Sequence, residues 1–479
     1  MFGDADRAFE ASVDLFCAAR RAGERDMVAR AAEQLVRHAW AAARYPEALP
    51  LAEAYVHENA GGESPFHFAA LLNFTHMLST LGRADESLAV LDEAETHEYP
   101  VSLDDMVRLL HQRAFAIGQL GHEQRSCELF LRAAEMARKR MNPHLKAQVL
   151  NNFAVHKRFL GHIDEAVALH EEAFVFCRDL KIAWRAQYYS SSQGLTNYYA
   201  GNLERAAALH DRAEAEPPGN RQVSLANANL GLMLGVAMER GDLLERYGDS
   251  SYVESAFASQ EPFRIASAAA SRHRYLAYSG EIRQAEALLA RAAPVFENPH
   301  CCNVLFLEVA AHGKGSTLER AIECNGRFSR RSHVREAFDR LLRARCMELQ
   351  HEAGFAHEAD RAAAAFAALN WPMHRAASFE LAGRYREAAT LYERCGALGD
   401  ARRAAARRRR SGRPRRVSGQ LTTREWEVAK LCVDGLRNRE IARRLGVSVG
   451  TVEYHVRNVL RALDLTSRYE LREALPDLR

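Results

Sequence analysis

Proline is scarce in this sequence, 13 of 479 residues, and no long Gly/Ser tract breaks it, so extended disorder is not expected. The nine cysteines, at 17, 127, 177, 301, 302, 324, 346, 395 and 432, include no Cys-x-x-Cys spacing. Most sit in helical apolar runs, the pattern of a reduced, intracellular protein. The opening lacks a basic-then-apolar leader, since Asp4, Asp6 and Arg7 stand among few large apolar side chains. No apolar run approaches the length needed to span a bilayer, and the stretch from Val304 to Leu307 is cut by Glu308. These absences predict a cytoplasmic protein with no membrane partner.

Signatures of catalysis are missing too. The His-Glu dipeptides, at 57, 97, 122, 170, 351 and 357, have no second histidine at the spacing of a zinc-protease helix. No Gly-x-Ser-x-Gly elbow occurs, and no alternating strand–helix pattern would house a phosphorylatable aspartate. The string Gly313-Lys314-Gly315-Ser316-Thr317 matches a phosphate-binding loop only in part. Glu308 stands where the upstream glycine belongs, and Gly315 separates lysine from serine, so the string reads as a turn between helices. His170 falls on the inner face of its helix and reads as a hydrogen-bonded core imidazole. The chain is expected to be no enzyme and to require no cofactor or metal.

What is present is apolar helical pattern: 48% of the side chains are hydrophobic, enough for substantial cores in more than one domain. The net charge of +3 hides a division. From Ala401 to Arg479, 20 Lys/Arg face 9 Asp/Glu, or +11, whereas the first 400 residues carry 45 against 53, or −8. Basic charge gathered at one end suits a polyanion partner there.

The first 400 residues repeat. Glycines close apolar helical runs at 82, 121, 161, 201, 241, 280, 313/315, 354 and 383, most of them 39 or 40 apart. A small residue recurs five places later (Ser87, Ser126, Ala166, Ala206, Ala285, Ala359, Ala388), and an alanine twelve places later (Ala94, Ala133, Ala173, Ala213, Ala292). Small residues at two fixed offsets mean that two helices pack closely in unit after unit, so residues 1–400 are expected to form a helical solenoid of about nine to ten pairs. The unit from His144 to Arg178 is the clearest, while Arg246 and Val253 break the pattern around Gly241 and the segment before Tyr45 is loosely in phase. The pattern resembles tetratricopeptide repeats with lengthened helices, which implies a right-handed solenoid and a concave surface for a peptide, protein or small effector.

Residues 401–420 read as a basic, flexible linker. Ala401 to Arg410 ends in four arginines, and Ser411, Gly412, Pro414 and Gly419 then break any helix. Arg407–Arg410, Arg413, Arg415 and Arg416 are candidates for phosphate contacts, each steepening the salt dependence of log K by about 0.9.

Residues 421–479 form the last domain. An apolar-periodic run from Thr423 to Val433, with Trp426, Val428, Leu431 and Cys432, stops at Gly435. A second helix is expected to be capped by Asn438 and to bury Ile441, Ala442 and Leu445. Gly446 turns the chain, and Ser448 caps a third helix reaching about Leu463. Val452, Val456, Val459, Leu460 and Leu463 make one apolar stripe on it, opposite Gly450, Glu453, Tyr454, Arg457, Asn458 and Arg461. Two helices joined by a glycine turn, the second with a basic outer face, make a helix-turn-helix whose recognition helix, 448–463, can enter a major groove.

These residues resemble the LuxR/FixJ-type DNA-binding domain of bacterial transcription regulators: L-T-x-R-E-x-E-V, N-x-E-I-A-x-x-L-x-V-S, T-V-x-x-H-V, then S-R, without a gap. The resemblance implies a four-helix, all-α domain behind the solenoid, and a fourth helix, about Ser467 to Ala474, that pairs two copies through Ser467, Arg468 and Leu471. It also implies that Thr423, Arg424 and Asn438 clamp the DNA backbone. Similar long-helix arrays precede this domain in large ATP-dependent regulators of the maltose-regulator type, which usually begin with a nucleotide-binding module, whereas this chain opens in the solenoid. Ser448 and Thr451, at the recognition-helix N-terminus, are expected to meet phosphate. Glu453, Tyr454 and Arg457 point to base edges beside Asn458, with Arg457 suited to guanine and Arg461 to phosphate. Where the family usually has lysine, Glu453 can accept from a cytosine amino group or pair with Arg457 one turn on. The expected function is a sequence-specific transcriptional regulator that binds double-stranded DNA as a homodimer, with RNA polymerase a candidate partner and an unidentified effector on the repeats. The alternative is a repeat scaffold that docks a protein and tethers it to DNA.

Overall fold

The computed structural model describes every residue except 1–2, 60–63, 65, 97–101, 140–141, 180–182, 216–219, 250, 299–302, 328–331, 412–420, 422, 464, 466, 469 and 472–479. Among the described residues there are 26 α-helices, one short 3-10 turn and no strand. The chain divides into two compact units, Met1–Ala405 and Ala406–Arg479. No helix among the described residues is long and apolar enough to cross a membrane.

The first unit is the solenoid. Ten helical hairpins stand between a leading helix, Gly3–Ala22, and a closing one, Leu398–Ser411. The unit read most clearly in sequence is the pair Pro143–Phe159 and Ile163–Asp179. All the small residues at the two fixed offsets are buried, from Ser87 and Ala94 to Ala359 and Ala388. The two serines also bond across their hairpins: Ser87 Oγ donates to the Thr75 carbonyl at 3.0 Å and Ser126 Oγ to that of Ala114 at 2.7 Å. A larger side chain would hold the helices apart. Gly313 to Thr317 is a turn running into the helix Gly315–Gly326, and Lys314 is bonded to Glu286 at 2.5 Å.

Two irregularities in the sequence pattern have local causes. Ahead of Tyr45, Ala43 adopts the left-handed conformation (φ 55°) that glycines take at 82, 121, 161 and 201, so the first hairpin, Arg25–Ala42 with Tyr45–Glu58, lacks the glycine mark. Near Gly241 the left-handed residue is Glu239 (φ 57°), and the second helix of that unit is split into Gly241–Tyr247 and Ser251–Ala258. Tyr247 lies over Gly231, where a Cβ would come within 2.4 Å of its ring, so this hairpin closes on an aromatic rather than on a small residue.

The first helices of successive hairpins are joined in series by polar side chains. His76 Nδ1 donates to Gln112 Oε1 (3.3 Å), Asn152 Nδ2 to His111 Nε2 (2.9 Å), Arg158 Nη1 to Thr196 Oγ1 (3.2 Å) and His273 Nδ1 to Glu308 Oε2 (2.8 Å). His170, as expected, is wholly buried and bonded through Nε2 to Thr196 Oγ1 at 3.1 Å; burial drives its pKa well below the imidazole range.

The solenoid also winds onto itself. Arg221 pairs with Asp6 at 2.8 Å, 215 residues away, and Gln222 Nε2 donates to the Trp40 carbonyl at 2.6 Å. Further along, Glu123 faces Arg335 at 3.7 Å and Arg402 pairs with Glu239. A Cβ on Gly161 would meet Leu369 at 2.6 Å, and one on Gly201 would meet Pro372 at 2.5 Å and Cys395 at 2.8 Å. Contact partners advance together along the chain, so one superhelical winding takes about four to five hairpins and the next lies directly on it.

The expected flexible linker is helical at its start. Leu398–Ser411 is one helix, with Ala401 and Ala404 buried and Asp400 wholly buried. Arg403 reaches Asp400 and, at 2.7 Å, Glu380. The alanines read as tether are packing residues: their spacing puts 401 and 404 on one face, which the solenoid covers. The remaining linker, with Arg413, Arg415 and Arg416, lies outside the described residues.

Candidate nucleic-acid interface

The second unit has a core of its own. Thr423–Val433, Asn438–Leu445 and Val449–Ala462 are its three described helices. They enclose Leu421, Val428, Ala429, Leu431, Cys432, Ile441, Ala442, Val452 and Val459, with Val456, Leu460 and Leu463 packed alongside. The first helix differs from the sequence reading in one respect. Its buried stripe begins at Glu425, which is wholly buried, and continues through Val428, Ala429 and Cys432. Trp426, expected inside, lies about 100° round the helix from that stripe and is 40% exposed.

The turn between the second and third helices follows expectation. Gly446 is left-handed (φ 65°), and Val447 N–H returns to the Ala442 carbonyl at 3.0 Å. Ser448 Oγ accepts the Thr451 N–H at 3.1 Å and lies 2.8 Å from the Thr451 hydroxyl, capping the third helix. The cap of the second helix is corrected. The cap position is Arg437, whose N–H donates to Glu440 Oε2 at 2.7 Å, and Asn438 is the first helical residue. The glutamate three residues on satisfies the cap backbone, so Asn438 is left for another partner. That partner is Arg468, whose Nη1 donates to Asn438 Oδ1 at 3.1 Å while Nη2 donates to the Leu436 carbonyl at 2.7 Å.

On the third helix, Val452 and Val459 are wholly buried, and Glu453, Tyr454 and Arg457 stand exposed on the other side, Tyr454 at 56%. Asn458 is half-buried between the two faces. Of the two roles open to Glu453, the pairing with Arg457 is not formed: among the described residues neither side chain makes a hydrogen bond or ion pair. Arg424 binds Glu427 at 2.7 Å and the Leu445 carbonyl at 2.9 Å, tying the first helix to the end of the second. The side chains of Thr423 and Arg461 lie outside what is described.

Of the residues read as a pairing surface, Ser467 is half-buried and Leu471 is wholly buried in the domain core. The fourth helix expected up to Ala474 falls mostly outside the described residues. A feature passed over in sequence is the basic surface of the second helix: Arg437, Arg439, Arg443 and Arg444 are all exposed and, among the described residues, make no ion pair. Four arginines within eight residues were the available signal. No group of three or more His, Cys, Asp or Glu that could hold a metal occurs among the described residues, and the seven described cysteines are free.

Comparison with known proteins agrees with this geometry. Residues 419–473 match the family described as bacterial regulatory proteins, luxR family. The nitrate/nitrite response regulator protein NarL of Escherichia coli K12 is 47% identical over 51 residues, 11% of this chain and 24% of NarL. The uncharacterized response regulatory protein YgeK of the same organism is 48% identical over 52 residues, 11% of this chain and 35% of YgeK. This chain thus spans about a quarter to a third of those relatives. Among solved structures, a Rap protein complexed with competence and sporulation factor covers 80% of this chain and 97% of its own at 12% identity and a TM-score of 0.38, a likeness too low to bear on function. The unit at the C-terminal end, residues 419–473, is a luxR-family helix-turn-helix domain.

Proposed function

We propose that this protein is a sequence-specific, DNA-binding transcriptional regulator whose activity is governed by an effector or partner on the solenoid. One observation carries the reading: Glu453, Tyr454 and Arg457 are exposed and uncommitted opposite a buried valine row, beside a second helix bearing four exposed arginines. Arg457 is assigned to guanine and Glu453 to a cytosine amino group, with Tyr454 and Asn458 beside them. Ser448, Thr451, Arg461, Thr423, Arg424 and Asn438 are assigned to the flanking phosphates, with Arg439, Arg443 and Arg444 adding charge. Two copies would pair through the segment from Ser467, which Leu471 roots in each domain core, and place two recognition helices about one helical turn apart.

We assign the effector to the seam between windings. A groove of about 840 Å³ there is lined by Glu123, Lys157, Leu160, His162, His333 and Glu336, so an occupant would touch two windings at once. Desolvation lifts the Glu123 carboxyl to about 7, against the opposing pull of Arg335.

The test is selection of bound sequences from a random duplex pool, followed by mobility shift with the full chain and with the 406–479 unit. A regulator shows restrained or effector-dependent binding in the full chain. Identical binding by both would favour a scaffold tethered to DNA. No enrichment of any sequence would end the proposal.

A further inference from the structure

We propose that Arg468 is a positioning residue of the DNA interface: it turns the side-chain amide of Asn438 so that its N–H group, not its oxygen, meets a phosphate. This rests on the reading that the second and third helices face a duplex.

A guanidinium carries only donors, so the atom of Asn438 that faces Arg468 at 3.1 Å is the carbonyl oxygen. The amide nitrogen is then on the far branch of the side chain, and no hydrogen bond among the described residues uses it. Asn438 opens its helix, where first-turn backbone N–H groups have no helical acceptor and the helix dipole favours an anion. A phosphate at that end meets only donors while Arg468 holds the oxygen away; with Arg468 removed, the amide can flip and turn its oxygen toward the phosphate.

The arginine is itself held at both ends. Its second nitrogen bonds the Leu436 carbonyl at 2.7 Å, and Leu471, three residues on, is wholly buried in the domain core. Glu440 occupies the neighbouring Arg437 N–H at 2.7 Å, so that group is taken, and the Asn438 side-chain N–H stands beside the open backbone donors of the first turn. Arg468 acts through Asn438 and makes no phosphate contact of its own.

The experiment measures affinity of the full chain for a duplex selected from a random pool, by fluorescence anisotropy across a salt series. Arg468→Gln and Asn438→Ala should each weaken binding about tenfold, the usual worth of one hydrogen bond to a charged group, and the double variant should be no weaker than either alone. The slope of log K against log salt should stay at the wild-type value in all three, because no phosphate-neutralising charge is lost. Asn438→Asp keeps an acceptor for Arg468, so it should retain the wild-type melting temperature while losing at least as much affinity as Asn438→Ala. A slope flattened by about 0.9 in Arg468→Gln would make the arginine a phosphate ligand instead and overturn the proposal. Additive losses, or wild-type binding by Asn438→Asp, would overturn it equally. Wild-type protein with no affinity for any duplex would sink the underlying reading and this proposal with it.

Discussion

Arg402 pairs with Glu239, 163 residues earlier in the chain, and so ties the closing helix of the solenoid to the previous winding. The arginine is exposed (72%) and the glutamate partly so (25%), and a pair open to solvent contributes about 0–1 kcal/mol. The closer contact beneath it is backbone: a Cβ on Gly399 would stand 2.4 Å from the Val236 carbonyl oxygen. Glu239→Ala should therefore cost less than about 1 kcal/mol, whereas Gly399→Ala should cost about 1–3 kcal/mol by prising the windings apart. Denaturant melts of the full chain, with hydrogen exchange over 398–411, check both; equal costs would place the hold in the ion pair.

The hairpin interior should be equally intolerant of bulk. Ala206 is wholly buried at the offset where units pack closest. Ala206→Leu should destabilise the solenoid by about 2–3 kcal/mol, and Glu204→Leu, a change at an exposed position of the same helix, by less than about 0.5 kcal/mol. A calorimetric comparison showing no difference would deny close packing at that offset.

Stability should fall in mild acid. Burial lowers His111 to about 3, His374 to about 3 and His156 to about 4. Each is neutral in the folded chain and takes up a proton on unfolding once the pH drops below the ordinary 6.5, so the stability it contributes above that value is lost as pH falls toward 4. Glu123, raised to about 7, works the other way, its contribution being full below 4.5 and lost as pH rises through 7. These three histidines outnumber it, so the four groups together take up about two protons on unfolding, a loss of about 3 kcal/mol per pH unit between 6 and 5. Urea melts across that range test the slope, and Glu123→Gln should steepen it.

On DNA, base reading and phosphate binding should separate. Arg457→Ala should cost about 1–3 kcal/mol at one base position, while Arg461→Ala should weaken every sequence alike. Competition with cognate and scrambled duplexes distinguishes them; equal losses on both for Arg457→Ala would remove it from base recognition.

The parts of this molecule legible in sequence are those set by neighbours in the chain. The Ser448 cap, the Gly446 turn and the valine row obey spacings of three and four residues, and the hairpin offsets repeat because the same two helices meet each time. Asn438 has the local look of a cap, but Glu440 already serves the cap backbone and the partner of Asn438 lies thirty residues on. A stripe of apolar residues alone puts Trp426 inside, whereas the buried stripe begins at Glu425. Ala43 hid the first hairpin by adopting a conformation usually left to glycine. The contacts between windings left no mark in the sequence at all, since no local spacing links Glu239 to Arg402 or Asp6 to Arg221.

Those contacts make the length of the array a fixed dimension. In an open row of repeats, duplicating one hairpin merely lengthens the row. In a coil whose loops touch, an extra hairpin would break every contact that spans it: one inserted between Trp40 and Gln222 would part that pair, and one between Gly201 and Pro372 would bring each opposite a stranger. Growth or shrinkage by single repeats, the ordinary way such arrays diversify, is thereby closed to this one unless a whole loop is gained or lost together.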